Sequence, residues 1–271
     1  MHKERKYRTA ASLTAAIILS VTLFLLFFCI ELLAGYFSPR LFRESLRVSD
    51  YGTGMEQEML QKQKELFVSY GLPESLTNEI WEENEAYLAF YKFVDGGNAE
   101  DGSQFGQEEV LDNYLKGQEV FETSAVKDAA DILLSESKAI CVRYLYPSFV
   151  TDYQQLFSEK KMIFMITAVI SAIISVVLIV LLFRWYRSRH HALRYVIGGL
   201  FTALVWNLAG TFALSSGDWF PAFGTVSENY QNFLDLYFTN GLQPWYVVSA
   251  AAAGITILLV SVYIRMRNHE L

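Results

Sequence analysis

Four acidic residues in one stretch could supply a catalytic acid and base: Glu82, Glu83, Glu85 and Asp95. Glycosidases use two carboxyl groups in this way. A solvated helix face produces the same residues far more often. Histidine is missing from residues 36–161, so the sequence predicts neither a Ser-His-Asp site nor a histidine-containing zinc site there. We therefore predict no catalytic residue and expect a protein that is not an enzyme.

Two other motifs resemble metal sites. Residues 97–108 carry a glycine and a glutamate at the sixth and twelfth positions of a calcium loop, but Gly97 and Ala99 stand where acidic ligands are required. His190 and His191 lie among arginines in a short basic turn, and adjacent histidines point in different directions on a helix. The sequence therefore predicts no metal site and no cofactor. Instead, it favours a surface loop at the first motif and a short turn that obeys the positive-inside rule at the second. A contact between that turn and anionic lipid headgroups is an intermediate alternative.

Glu31 and Asn207 are the polar residues inside long apolar runs that need an explanation. Polar groups at membrane depth are paired or functional. Glu31 lies a few residues from the end of its run and can reach water, whereas Asn207 lies nearer the middle. A hydrogen bond to a neighbouring helix explains Asn207 more simply than a substrate does. Both residues are candidate intramembrane polar positions.

The apolar residues cluster in four runs, each close to the roughly 20 residues that cross about 30 Å of hydrocarbon. Such runs must be helical, because the backbone finds no water in the bilayer. Lys and Arg concentrate in 1–10, 184–194 and 265–271, which fall on one side of a four-span protein. The positive-inside rule places that side, with both termini, in the cytoplasm. We predict an all-α protein of the cell membrane, with four transmembrane helices and a helical extracytoplasmic domain between spans 1 and 2.

The predicted segments cover the whole chain. They are the cytoplasmic N-terminus (1–10), transmembrane helix 1 (11–35), the acidic helical extracytoplasmic domain (36–161), transmembrane helix 2 (162–183), the basic cytoplasmic turn (184–194), transmembrane helix 3 (195–214), the aromatic extracytoplasmic loop (215–243), transmembrane helix 4 (244–264) and the cytoplasmic tail (265–271). The domain at 36–161 holds 23 acidic residues against 12 Lys and Arg, a net charge of −11. Nucleic acid is therefore not expected as a partner.

Four helices are predicted between spans 1 and 2. The first, 56–70, turns one face inward, formed by Met59, Leu66, Phe67 and Tyr70. The second begins at an N-cap, Thr77. The third covers 107–116 and ends at a glycine. The fourth is the most regular. Its inward positions alternate in spacing between four and three residues, at Val126, Ala130, Leu133, Ser137, Ile140 and Tyr144.

Two more patterns predict where helices meet other surfaces. Small residues four apart indicate close packing of spans, in the pairs Ala168 and Ala172, Ser171 and Ser175, Gly199 and Ala203, and Ala250 and Gly254. The second outer loop holds an aromatic face on one predicted helix, suited to the leaflet boundary or to the underside of the larger domain. This candidate interaction face consists of Tyr230, Phe233, Leu234, Tyr237 and Phe238.

Three stretches combine with the four-span layout: 79–88 (EIWEENEAYL), 126–130 (VKDAA) and 232–238 (NFLDLYF). With these features the chain resembles a family of Gram-positive bacterial integral membrane proteins of unknown function. The resemblance implies four spans, a helical outer domain after the first and a small aromatic loop before the last. It also implies a cell-surface location, and no activity.

Three functions fit these observations. We predict a non-enzymatic interaction or accessory component of the cell envelope, whose partners are the lipid bilayer and another membrane or envelope protein. The alternative is a membrane enzyme or transporter that handles a lipid-linked or small hydrophobic substrate at the outer leaflet, using Glu31, Asn207 and outer carboxylates. A sensor that relays outer binding to the basic turn is a third possibility, which requires a signalling partner.

Overall fold

The computed structural model describes residues 2–82, 84–99, 107–116, 124–186, 188–216 and 227–270. Throughout these ranges the regular structure is entirely α-helical, which confirms the predicted all-α class. The helices are α1 (His2–Ala34), α2 (Pro39–Val48), α3 (Tyr51–Ser69), α4 (Leu76–Ile80), α5 (Glu85–Val94), α6 (Gln107–Lys116), α7 (Ser124–Leu145), α8 (Ser148–Trp185), α9 (Arg189–Ser216), α10 (Glu228–Gly241) and α11 (Gln243–Glu270).

Four helical stretches are long and apolar enough to cross a membrane: Thr9–Ala34, Ser148–Trp185, Arg189–Ser216 and Glu228–Asn268, the last comprising α10 and most of α11. Between 17% and 39% of their most apolar windows is buried inside the protein. The remaining apolar surface of these windows is exposed on the protein, as expected for helices that lipid covers. The prediction of a multi-pass membrane protein is confirmed at this level.

The chain divides into two compact units, which we describe separately. The first, called the membrane unit, comprises Met1–Phe42, Phe157–Thr225 and Leu234–Leu271. The second, called the helical unit, comprises Arg43–Leu156 and Val226–Phe233.

In the membrane unit, α9 packs along both α1 and α11. A side chain at Gly199 of α9 would meet the Ala16 carbonyl oxygen at 3.2 Å, so only a very small residue permits this approach of α1. Ala203, four residues on, is fully buried. On α8, Ser175 is also buried and donates a hydrogen bond of 2.9 Å to Thr22 of α1. The predicted close packing is therefore confirmed at Gly199, Ala203 and Ser175.

The pair Ala250 and Gly254 behaves differently. Both residues are exposed, and a side chain added at Gly254 would meet no atom within 4 Å. The buried positions of α11 are instead Trp245, Ser249, Ala252 and Thr256. The prediction that Ala250 and Gly254 lie at a helix contact is therefore wrong, because the packed face of α11 lies on another side of the helix.

Gly35 lies at a close approach between two backbone segments of the membrane unit. A Cβ atom built there would lie 2.5 Å from the carbonyl oxygen of Gly241 at the end of α10. Backbone cannot move aside as a flexible side chain can. We predict that Gly35→Ala lowers the free energy of unfolding by about 1–3 kcal/mol through this overpacking. Equilibrium unfolding of the full chain in bicelles measures the change.

Gly254→Ala is the matched control, because the added methyl group meets open space. We expect its stability to equal or slightly exceed that of the wild type, since alanine is the better helix former. Equal unfolding midpoints for the two alanine variants would contradict the predicted clash at Gly35.

In the helical unit, α3 packs against α4, α5 and α7. Its buried side chains recur every four residues, at Met55, Met59, Gln63 and Phe67. Tyr70 was predicted on this face, but it is 40% exposed. It occupies the C-cap position, where the chain leaves the helix. The prediction for Tyr70 is therefore wrong.

The helix predicted from Thr77 is two helices, α4 and α5, and Thr77 is a fully buried residue within α4 rather than an N-cap. Trp81 adopts an extended conformation, with φ −111° and ψ 123°, and ends α4. Asn84 has φ 63°, a left-handed conformation that asparagine tolerates better than most residues, and α5 follows it. The expectation of a single helix is therefore wrong at Trp81.

The other two helices of this unit match their prediction more closely. The bounds of α6 are those predicted, 107–116. In α7 the buried positions Leu133 and Ser137 are confirmed, but the face continues through Cys141 and Leu145. This spacing of four matches the spacing along α3, against which α7 packs. The stretch considered above as a calcium loop, 97–108, lies largely outside the described residues.

Candidate functional site

Glu31 and Asn207 meet inside the membrane unit. The Asn207 amide nitrogen donates to Glu31 Oε1 at 2.7 Å and to Ser249 Oγ at 2.9 Å, so both of its hydrogens are used. Glu31 and Asn207 have no exposed surface, and Ser249 is 5% exposed. We call these three residues the intramembrane polar cluster. It joins α1, α9 and α11 through side chains that would otherwise face hydrocarbon.

Two acceptor atoms of the intramembrane polar cluster are unused. Neither Glu31 Oε2 nor Asn207 Oδ1 finds a hydrogen-bond partner among the described residues. Thr211, one turn beyond Asn207, donates instead to the Asn207 backbone carbonyl at 2.9 Å. The sequence gives no signal for Ser249, because a serine in an apolar run commonly bonds its own helix. The arrangement is suited to holding three helices together.

A cavity of about 430 Å³ lies at the ends of the spans, in the membrane unit. Phe28 and Leu32 of α1 and Trp245 of α11 form part of its apolar wall, and Asp235 and Thr239 of α10 contribute exposed polar groups. The remaining lining residues are Tyr36, Leu214, Ser215, Phe238 and Leu242. The volume falls within the range of about 300–1,000 Å³ typical of small-molecule sites.

Tyr36 lines one side of this cavity and is held there by hydrogen bonds. Burial, assisted by the nearby Tyr246, raises the pKa of Tyr36 to about 12, so its hydroxyl keeps its proton at physiological pH. That hydroxyl donates to the Phe238 carbonyl at 3.3 Å, and the Tyr36 carbonyl accepts from the Tyr237 hydroxyl at 2.5 Å. These two bonds attach the segment after α1 to α10.

The candidate interaction face on α10 packs largely against this chain. In the helical unit, Tyr230 and Phe233 join an aromatic group with Tyr51 and Phe149, at centroid distances from 4.8 to 6.3 Å. Phe233 is 1% exposed and Leu234 is half-buried.

In the membrane unit, Tyr237 and Phe238 pack against the Tyr36 ring, and Tyr237 also packs edge-on against Phe42. Tyr237 is 9% exposed. An aromatic stripe at helical spacing does not distinguish a surface for a partner from a surface buried by the same chain.

A polar network in the helical unit was not predicted. Gln63 is fully buried, and its amide nitrogen donates to Ser137 Oγ at 3.2 Å and to Cys141 Sγ at 2.9 Å. Its carbonyl oxygen accepts from Trp81 Nε1 at 2.6 Å. We call these four residues the Gln63 network. The signal in the sequence is a glutamine four residues from both Met59 and Phe67, on an otherwise apolar face.

The carboxylates considered for acid–base catalysis have ordinary structural contacts. Asp95 forms a half-exposed ion pair with Arg43 at 3.1 Å. The Glu85 carboxylate accepts the backbone N–H of Glu82 at 3.2 Å, at the start of α5. Glu83 lies outside the described residues. In the described part of the chain, no group of three or more His, Cys, Asp and Glu side chains is arranged to hold a metal ion.

The chain matches no protein-family model, no curated protein and no solved structure. The resemblance in layout to Gram-positive membrane proteins therefore stays a prediction. The contacts within this chain are therefore the basis for its proposed function.

Proposed function

We propose that the protein is a non-enzymatic interaction or accessory component of the cell envelope. In this proposal it spans the cell membrane four times with both termini in the cytoplasm, and residues 36–161 form a helical domain on the extracytoplasmic side. The basic residues of 184–194 and 265–271 support that orientation.

The burial of Glu31 and Asn207 is the observation that carries the proposal. A transporter or membrane enzyme would need its polar groups to face a path or a cleft. Here both side chains are fully enclosed, and they bond to each other and to Ser249. This supports a role in packing the spans, and it leaves the exposed acidic surface as the part of the chain available to a partner.

The outward face of α7 is our candidate contact surface. Ile132 is 52% exposed, and Asp128 and Glu136, four residues before and after it, are exposed on the same side. The opposite face buries Leu133 and Ser137. An exposed apolar residue flanked by carboxylates suits a partner protein with an apolar contact framed by Lys or Arg.

Site-specific photocrosslinking in intact cells tests the proposal. A benzoylphenylalanine at Ile132 is expected to give a discrete adduct with another protein, and Asp128→Asn with Glu136→Gln is expected to reduce its yield. Leu88 of α5, which is 64% exposed, is the matched control position. Adducts with lipid alone, or equal protein adducts from Ile132 and Leu88, would contradict the proposal.

The cavity at the ends of the spans favours the alternative, an enzyme or transporter for a lipid-linked or small hydrophobic substrate. The two functions differ in the expected behaviour of Glu31→Gln. A functional carboxylate predicts lost function at a normal protein level, whereas a packing role predicts that function and protein level fall together.

A further inference from the structure

We infer that the cavity at the ends of the spans binds one membrane phospholipid with a cationic amine in its headgroup, such as phosphatidylethanolamine. The acyl chain occupies the apolar wall, and the amine lies near Asp235. This site is separate from the protein contact proposed on α7.

The position of the cavity favours a lipid. Leu32 lies at the end of the α1 span, Leu214 lies at the end of α9, and Trp245 lies at the start of α11. These three positions fall at the same end of the bundle, where apolar helix gives way to polar segments. A half-open cavity at that level meets the headgroups and upper acyl chains of the bilayer.

The distribution of polarity in the cavity matches an amphiphile. Phe28, Leu32 and Leu242 are half-buried along the wall, whereas Asp235 and Thr239 are exposed one turn apart on α10. A ligand with an apolar chain and a polar head fits both parts without burying an unpaired polar group.

Trp245 provides a second, independent sign of a ligand. It lines the cavity and is 2% exposed, and its Nε1–H has no acceptor among the described residues. Its benzo ring lies near Gly210 of α9, with Cζ3 3.7 Å from the place of a Cβ atom there. Buried tryptophan N–H groups usually have a partner. Because this N–H has almost no accessible surface, an ester carbonyl of a lipid in the cavity accepts from it only after a small rotation of the indole.

Charge selects the headgroup. Among the described residues that line the cavity, Asp235 supplies the one carboxylate, and none is Lys, Arg or His. A carboxylate at this position attracts an amine and repels a headgroup with net negative charge.

Native mass spectrometry of the full chain, taken from vesicles with equal amounts of phosphatidylethanolamine and phosphatidylglycerol, tests the inference. The wild type is expected to retain one lipid, with phosphatidylethanolamine favoured by about two- to five-fold, as one exposed ion pair predicts. Asp235→Asn, at an exposed position, should retain a lipid without this preference. Leu32→Trp fills the cavity and should lose the retained lipid.

Leu25→Trp is the matched control, since Leu25 is exposed on the same helix and outside the cavity. It should retain phosphatidylethanolamine as the wild type does. The inference is overturned if the wild type retains both lipids equally, if Asp235→Asn keeps the preference, or if Leu32→Trp retains as much lipid as Leu25→Trp.

Discussion

Asn207→Leu is expected to lower the free energy of unfolding of the full chain by about 1–3 kcal/mol, the effect of leaving buried polar groups without partners. The substitution nearly conserves volume but removes both amide hydrogens. Glu31 Oε1 and Ser249 Oγ then lose their donor at positions with almost no exposed surface. Equilibrium unfolding in bicelles measures the change.

A double-mutant cycle separates this loss from a change in packing. Glu31→Met in the Asn207→Leu background removes the orphaned carboxylate, so the double variant should be more stable than Asn207→Leu alone. Thr202→Ala is the control on α9, because the Thr202 hydroxyl is exposed and bonds only within its helix. Strictly additive effects at Glu31 and Asn207 would show that their hydrogen bond does not contribute to stability.

The intramembrane polar cluster shows how far the sequence can predict a site. Glu31 and Asn207 were recognisable one by one, because a carboxylate or an amide is rare in an apolar run. Their pairing was not predictable, since it depends on the rotation of α1 and α9 about their axes. Ser249 gave no signal, because serine is common in transmembrane helices and can bond its own backbone.

The helix bounds also fall into two groups, those set by local sequence and those set by tertiary contacts. The bounds of α6 were predictable from its acidic first turn and the glycine after it. The break at Trp81 was not, because the local pattern favours one continuous helix and a tertiary contact overrides it. At this break, the Trp81 indole N–H donates to Gln63 Oε1 at 2.6 Å.

At the Gln63 network, the tertiary structure departs from the helix that the sequence pattern predicts. We expect Gln63→Leu to disturb this network strongly. Leucine removes the acceptor of the buried Trp81 N–H, which should destabilise the helical unit by about 1–3 kcal/mol. Cys141 reports the change, since its thiol is fully buried and reacts only when the unit opens. In a Cys29→Ala background, we expect thiol labelling to accelerate by about 5- to 150-fold.

Two further variants test whether faster labelling comes from the loss of the Gln63 hydrogen bonds. Gln61→Leu, on the exposed side of α3, removes only an exposed hydrogen bond to Glu65 and should leave the labelling rate unchanged. Adding Trp81→Phe to Gln63→Leu removes the orphaned donor and should slow labelling again, although the smaller ring leaves a cavity. If Gln63→Leu alone labels no faster than Gln61→Leu, then the Gln63 network does not stabilise the unit, and the departure of Trp81 from the helix needs another cause.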